Sequence, residues 1–233
     1  MSRIKIKALS DLHGNLPDLR GDPVDLVLIA GDILPQFAEY SIEISISWYT
    51  GEFYRWCKRM VSCDKIFFIF GSHDYAMENF YPMVAEFFKD INGKVQLLHN
   101  EIKTYRKDGR ELNVYGTPYN RNNRRYSFSR TDKELRRIYS KFDDDIDIIL
   151  SHEAPYGFSD TDPMAEDMGY QNIHMGSTSL KRFVQNIEPR VLVHGKYHSA
   201  THDKERLGMT DVYNVSLLDD NNELIYKPLI FEL

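Results

Sequence analysis

Two residues apart, Asp11 and His13 set a carboxylate and an imidazole where an apolar run, residues 4–9, breaks into Gly14-Asn15. Such a pair at the carboxyl end of a buried strand can converge on one cation, in the crevice where open α/β sheets bind ligands. Four more blocks repeat the design. The run 24–30 ends at Gly31-Asp32, 65–70 at Gly71-Ser72-His73-Asp74, 147–151 at His152, and 190–193 at His194-Gly195-Lys196-Tyr197-His198. One polar strand end is ordinary, whereas five that each carry Asp or His ask for a common cause. A parallel-type sheet supplies it by gathering those ends in space, around a bound metal. Mixed Asp and His donors suit manganese, iron or zinc. Calcium prefers an oxygen cage, and structural zinc favours cysteines.

The elements that must position these residues show in the hydrophobic pattern. The runs at 24–30, 65–70, 147–151 and 190–193 are apolar without alternation, as in strands covered on both faces. Helical spacing predicts helices over 41–61, 78–90, 132–142 and 178–187, with Trp48 and Trp56 in the core. Residues 16–23 read as a polar connection. Residues 95–98, 101–105 and 112–116 read as a meander, and 212–215, 224–226 and 229–231 as closing strands. The stretch 120–145 holds Arg121, Arg124, Arg125, Arg130, Arg136 and Arg137 among Tyr126 and Phe128. Arg124 and Arg125 are candidate substrate-binding residues that would grip a phosphate or stack on a base; the alternative is a solvated helix face.

With 233 residues, no internal repeat and no linker, the chain reads as a single domain, 1–233. No apolar run reaches the roughly 20 residues of a membrane span, and no signal-peptide pattern follows Met1, so a cytoplasmic protein off the membrane is expected. Cys57 and Cys63 lack zinc-ligand spacing and are expected as free thiols. A formal charge of −6 argues against broad binding to the phosphate backbone of nucleic acid.

The five blocks resemble the signature of the calcineurin-like metallophosphoesterases: Asp-x-His, Gly-Asp, Gly-Asn-His-Asp/Glu, a lone His, then Gly-His-x-His. Here it runs Asp11-Leu12-His13, Gly31-Asp32, Gly71-Ser72-His73-Asp74, His152 and Gly195-Lys196-Tyr197-His198, in the same order and across most of the chain. The turns at Gly116-Thr117-Pro118 and Ser151-His152-Glu153-Ala154-Pro155-Tyr156-Gly157 resemble the branch that includes small class III cyclic nucleotide phosphodiesterases. The resemblance implies an α/β fold of two packed mixed β-sheets flanked by helices, a four-layer α/β/β/α sandwich. It also implies a metal-dependent phosphodiesterase acting on a nucleotide-type or other small phosphodiester. Asp11, His13 and His198 would hold the first metal, Asp32 would bridge, and His152 would serve the second. Paired cations clamp a phosphoryl group and activate water. His73, with Asp74 beside it, would fill the catalytic positions, the imidazole protonating the leaving alkoxide or orienting the phosphate. Some related enzymes cleave DNA, but the acidic charge and the lack of an evident DNA-binding extension disfavour a nuclease.

Two positions depart from that signature, and both belong to the second metal. Ser72 stands where asparagine is expected and Lys196 where the first histidine of the last block is expected. A serine hydroxyl is a weak neutral ligand, and a lysine must lose a proton before it can coordinate. The expectation is one well-held divalent ion, Mn or Fe/Zn, and a second that is weak or absent. The Lys196 ammonium is expected to offset the charge of Asp32 and of a bound phosphate. Two readings follow: a metallophosphoesterase of reduced activity on a small phosphate ester, or a weak or inactive relative that binds a phosphate-bearing ligand or a protein partner.

Overall fold

Continuous apolar runs become strands when both of their faces are covered, and that is how they are used here. The computed structural model describes residues 3–89, 93–121, 126–143, 145–161, 173–198, 202–219 and 221–233. In chain order the strands are β1 (Lys5–Leu9), β2 (Leu19–Ile29), β3 (Val61–Phe68), β4 (Val95–Leu97), β5 (Glu101–Lys107), β6 (Arg110–Thr117), β7 (Asn120–Arg121), β8 (Ser129–Arg130), β9 (Ile148–Ser151), β10 (Val191–His194), β11 (Glu205–Leu207), β12 (Thr210–Asn214) and β13 (Leu229–Glu232). The helices are α1 (Ile42–Trp48), α2 (Tyr54–Arg59), α3 (Met77–Lys89), α4 (Asp132–Tyr139) and α5 (Thr178–Ile187), with a π-helical turn, Tyr49–Phe53, joining α1 to α2.

The first sheet has the order β13-β1-β2-β3-β4, parallel except for β13, and the second β11-β12-β10-β9-β6-β5, parallel between β12 and β6. Ile6, Ala8, Leu28 and Phe67 of the first sheet share one apolar cluster with Val114, Ile148, Leu150 and Val193 of the second. On the outer face of the first sheet, Trp48, Trp56, Val84 and Phe88 of α1–α3 are buried, the tryptophans in the core as expected. On the outer face of the second, Leu135 and Tyr139 of α4 pack with Leu180 and Phe183 of α5. The result is the expected four-layer arrangement of two mixed sheets flanked by helices. Caps fix the outer helices: Thr131 and Glu134 form a reciprocal capping box on α4, and Ser177 Oγ accepts from Leu180 N at 3.1 Å on α5.

Three local expectations are corrected. Residues 95–116 are not a meander. The β3–α3–β4 segment is a crossover unit that returns β4 parallel beside β3, and the chain then changes sheets to form the β5–β6 hairpin. The hairpin turn is made at Asp108 and Gly109, at φ 48° and 75°, the left-handed pair that matches strand twist. Within 16–23, Leu19 already begins β2 opposite Val61, with an irregularity before Val24. Residues 224–226 form no strand: Leu224 makes an isolated bridge to Leu218 while Ile225 N and Tyr226 N donate to Leu217 O, and the last strand pairs β13 with β1.

Parallel pairing delivers the chemistry-bearing blocks to one edge, as the common register of β1, β2 and β3 requires. Ser10 bridges to Ser216 across the two sheets, and within the first sheet Asp11 N and His13 N donate to Gly31 O and Asp32 O, each at 3.0 Å.

Candidate metal centre

Asp11 and Asp32 leave their strands in the left-handed region, at φ 55° and 49°, and His13 does so at 41°. For side chains larger than glycine that conformation is strained, and it persists where surroundings over-determine it. Here it aims all three at one spot. Donor atoms of Asp11, His13 and His198 lie within 4.8 Å of one another, and so do those of Asp11, Asp32 and His152. Asp11 belongs to both groups. Asp32 Oδ2 lies 3.3 Å from His152 Nε2 and 4.0 Å from His13 Nε2, so it too stands between the two sides. The structure thus brings Asp11, His13, Asp32, His152 and His198 together.

The outer atoms of these side chains are anchored. His152 Nδ1 lies 2.8 Å from Ala30 O and His198 Nδ1 lies 3.1 Å from Asp219 O, which turns each Nε2 inward. Lys196 N donates to both carboxylate oxygens of Asp11, at 3.1 and 2.9 Å. Close backbone approach makes this possible. A Cβ on Gly195 would stand 2.6 Å from Ser10 Cβ, and one on Gly71 would stand 2.7 Å from His152 Cε1. His73 N donates to Asp32 Oδ1 at 2.7 Å.

The electrostatics fit a cation. Burial works against the charge on Asp11, but His198 beside it outweighs that and lowers its pKa; burial likewise opposes ionised Asp32, and His152 outweighs it. Burial also opposes charged His152 and His198, yet the facing carboxylates raise both to about 9, so a metal binding there would displace a proton from each ring. His13 is pushed down by burial and stays neutral, the form that coordinates, and its Nδ1 is buried without a hydrogen-bond partner. Two buried carboxylates and three imidazoles in one cluster are a donor set for a borderline divalent ion such as Mn, Fe or Zn.

The remaining expected residues fall differently. Ser72, 3% exposed, places Oγ 3.1 Å from both Asp32 Oδ2 and His152 Nε2, so the hydroxyl closes the second group by hydrogen bonding to its members. Lys196 does not face Asp32. With its own φ at 74° and its N–H committed to Asp11, its Nζ reaches Glu153 Oε2 at 2.6 Å. Glu153 is fully buried and also accepts from Tyr197 OH at 2.9 Å and Arg121 N at 2.9 Å. A buried carboxylate draws the nearest cation, and Lys196 is that cation. Asp74 is fully buried and its oxygens are turned to the chain: Oδ1 accepts from Leu34 N at 3.1 Å and Tyr49 OH at 2.7 Å, and Oδ2 from Gly71 N at 2.7 Å. It fastens the third block to the second and does not face the cluster. Arg124 and Arg125 lie outside the described residues.

One residue beside the cluster carries no sequence signal. Glu39, 3% exposed at the end of the 3-10 turn Gln36–Ala38, places Oε1 3.2 Å from His73 Nδ1. Burial opposes charge on His73, but Glu39 and then Asp32 outweigh it, and its pKa is raised. The His73 ring stands 5.2 Å from the His13 ring, centroid to centroid, which puts a carboxylate-oriented imidazole at the mouth of the cluster.

Residues 4–200 match the calcineurin-like phosphoesterases. The chain belongs to that family. A comparison with curated proteins gave no match. Among solved structures, this family member is similar to TT1561 of Thermus thermophilus, with a TM-score of 0.60 and 14% identity over 91% of this chain and 89% of that one. It is similar also to the phosphopantetheinyl hydrolase PptH of Mycobacterium tuberculosis, at 0.55 and 13% over 94% and 90%. A third likeness is to GAP50 of Plasmodium, the anchor in the inner membrane complex, at 0.55 and 10% over 100% and 82%. At these identities the likeness is one of fold. Family members use divalent metals to hydrolyse phosphoesters, and the Asp and His cluster has the donors for one. No helix among the described residues is long and apolar enough to cross a membrane.

Proposed function

We propose that this chain is a metal-dependent phosphodiesterase for a nucleotide-type or other small phosphodiester, working with one well-held divalent ion. The observation that carries the reading is the juxtaposition of the Asp11, His13 and His198 donors with an imidazole, His73, that is held from behind by Glu39. Asp11, His13 and His198 would hold the ion, with Asp32 beside them. The ion would supply the charge that polarises the phosphoryl group and activates water. Water would lose a proton to solvent as it adds to phosphorus and the bond to the leaving oxygen breaks, and that oxygen would take a proton from His73, which solvent then restores. Glu39 Oε1 lies 3.2 Å from Nδ1 as an ion-pair contact without hydrogen-bond alignment, which leaves the other ring nitrogen to pass the proton. Asp74 positions Gly71 and the residues after β2. The hydrogen bonds of Ser72 and the pairing of Lys196 with Glu153 support the expectation that the second ion is weak or absent.

The branch with small class III cyclic nucleotide phosphodiesterases is the relationship we favour, on the turns at Gly116 and Ser151. The reading takes 1–233 as one catalytic domain, supported by the apolar cluster that both sheets share. Free thiols at Cys57 and Cys63 fit a reducing compartment, and the reading is of a cytoplasmic protein.

A second reading rests on the same Ser72 and Lys196 contacts: a family member that binds a phosphate-bearing ligand without turnover. One assay separates the two. Manganese-stimulated hydrolysis of bis(p-nitrophenyl) phosphate that is abolished by Asp11→Ala, with hydrolysis of an alkyl diester abolished by His73→Ala, supports the enzyme. No hydrolysis with Mn, Fe or Zn refutes it.

A further inference from the structure

The surface beside His73 is aromatic. Tyr126 lies 5.2 Å from the His73 ring, centroid to centroid, and Tyr75 lies 5.8 Å from it. Tyr40 stacks on Tyr75 at 5.1 Å with 25° between the planes. The aromatics of α1, α2 and α3 are consumed by the core, but Tyr40 is 80% exposed, one residue after the carboxylate that orients His73. A large ring left in water at the mouth of a site, continuous with two more that flank its proton donor, is a surface waiting for a ligand.

We propose that Tyr40, Tyr75 and Tyr126 form a stacking platform for the leaving group of the substrate, and that this group carries a planar aromatic ring, a nucleobase on a nucleoside ester. The proposal rests on the phosphodiesterase reading and narrows it. The departing oxygen must reach His73, so whatever that oxygen carries extends over the rings that border the imidazole. The ring geometry selects the ligand. A quaternary ammonium is held by rings facing one another as the walls of a box. Tyr40 instead lies nearly parallel to Tyr75, which backs it on one side, and at 80% exposure offers its other π-face to a ligand, a face on which a base stacks with little dependence on its identity. A small alkyl leaving group would leave the same rings in contact with water.

The test uses adenosine 5′-(methyl phosphate) and ribose 5-(methyl phosphate), which share the scissile ester oxygen and differ only in the base. Release of adenosine or ribose is scored on the manganese-loaded full chain, and adenosine binding is measured separately by saturation-transfer NMR. The expected result is a kcat/KM preference of about tenfold for the adenosine ester, the scale on which base stacking contributes. Tyr40→Ala and Tyr126→Leu should each draw that ratio toward unity and weaken adenosine binding, and Tyr40→Phe should restore both. Tyr40 is exposed enough for its variants to fold. Hydrolysis of both esters with a ratio near unity would overturn the platform and leave the phosphodiesterase standing. Tyr40-sensitive adenosine binding without hydrolysis of either ester would uphold the platform and sink the phosphodiesterase. A preference for glycerophosphocholine over both esters would overturn the platform in favour of cation recognition.

Discussion

His73 Nδ1 and Glu39 Oε1 stand 3.2 Å apart, joining a strand-end block that carries a motif to a turn that carries none. The carboxylate orients the ring, so its effect should appear only when the leaving group needs a proton. Glu39→Gln is expected to lower kcat about 10- to 100-fold on alkyl diesters, with KM little changed. On bis(p-nitrophenyl) phosphate, whose leaving group departs without protonation, the loss should stay under about threefold. An equal loss on both substrates would reduce Glu39 to a structural residue.

Asp11 belongs to both donor groups, whereas His198 and His152 belong to one each. Metal content after loading with manganese and dialysis should therefore be one ion per chain in the native protein and in His152→Ala. It should fall to near zero in Asp11→Asn and in His198→Ala. Inductively coupled plasma mass spectrometry reads this directly. Two equally retained ions in the native protein would show that Ser72 and Lys196 do not impair the second position.

The Lys196–Glu153 pair makes a stability prediction independent of turnover. Lys196→Met leaves a fully buried carboxylate with only hydrogen-bond donors around it. The expected cost is about 2 to 4 kcal/mol, toward the lower end of buried-pair losses because Lys196 keeps 17% side-chain exposure. Adding Glu153→Gln should recover most of it, since an amide oxygen still accepts from Tyr197 OH and Arg121 N. Urea titrations of the two single variants and the double variant close the cycle. Additive losses would mean that the pair contributes nothing.

The same pair marks where the sequence stops being legible. Strand ends could be read because a strand buried on both faces shows itself as an apolar run, and the polar residue that stops the run must lie at the sheet edge. That located Asp11, Asp32, His73, His152 and His198, and with them the fold. Direction could not be read. Lys196 lies in the left-handed region at φ 74°, its N–H is committed to Asp11, and its Nζ meets Glu153. Glu153 follows His152, and nothing in its type says that the strand end buries it. Glu39 sits among Phe37, Ala38 and Tyr40 with no period to mark it, and only the fold shows what its carboxylate meets. The change of sheet after β4 was hidden for a related reason: period 2 predicts strands but not which sheet accepts them.

His99, which belongs to neither donor group, provides a further test of pH dependence. Its ring stacks on Tyr81, 3.8 Å between centroids and 5° between planes, and its Nε2 lies 3.3 Å from Tyr119 OH. Arg130 sits over the Tyr119 ring at 4.7 Å and is paired with Glu78 at 2.8 Å. Burial first, and Arg130 second, push His99 down to about 4, with Glu78 opposing them only weakly. Folding therefore favours the neutral ring. Between the ordinary imidazole pKa of about 6.5 and about 4, the unfolded chain binds a proton that the folded chain does not, so stability falls as pH falls through that window. Above about pH 7 both states are neutral and the term is constant. His99→Phe, which keeps a ring to stack on Tyr81, should lose its stability deficit relative to the native protein as pH drops from 7 to 4.5, a relative gain of up to about 2 kcal/mol. Urea unfolding of both proteins at pH 7, 5.5 and 4.5 measures the difference. A difference that does not change with pH would mean that His99 titrates alike in both states, and would refute the burial of its neutral form.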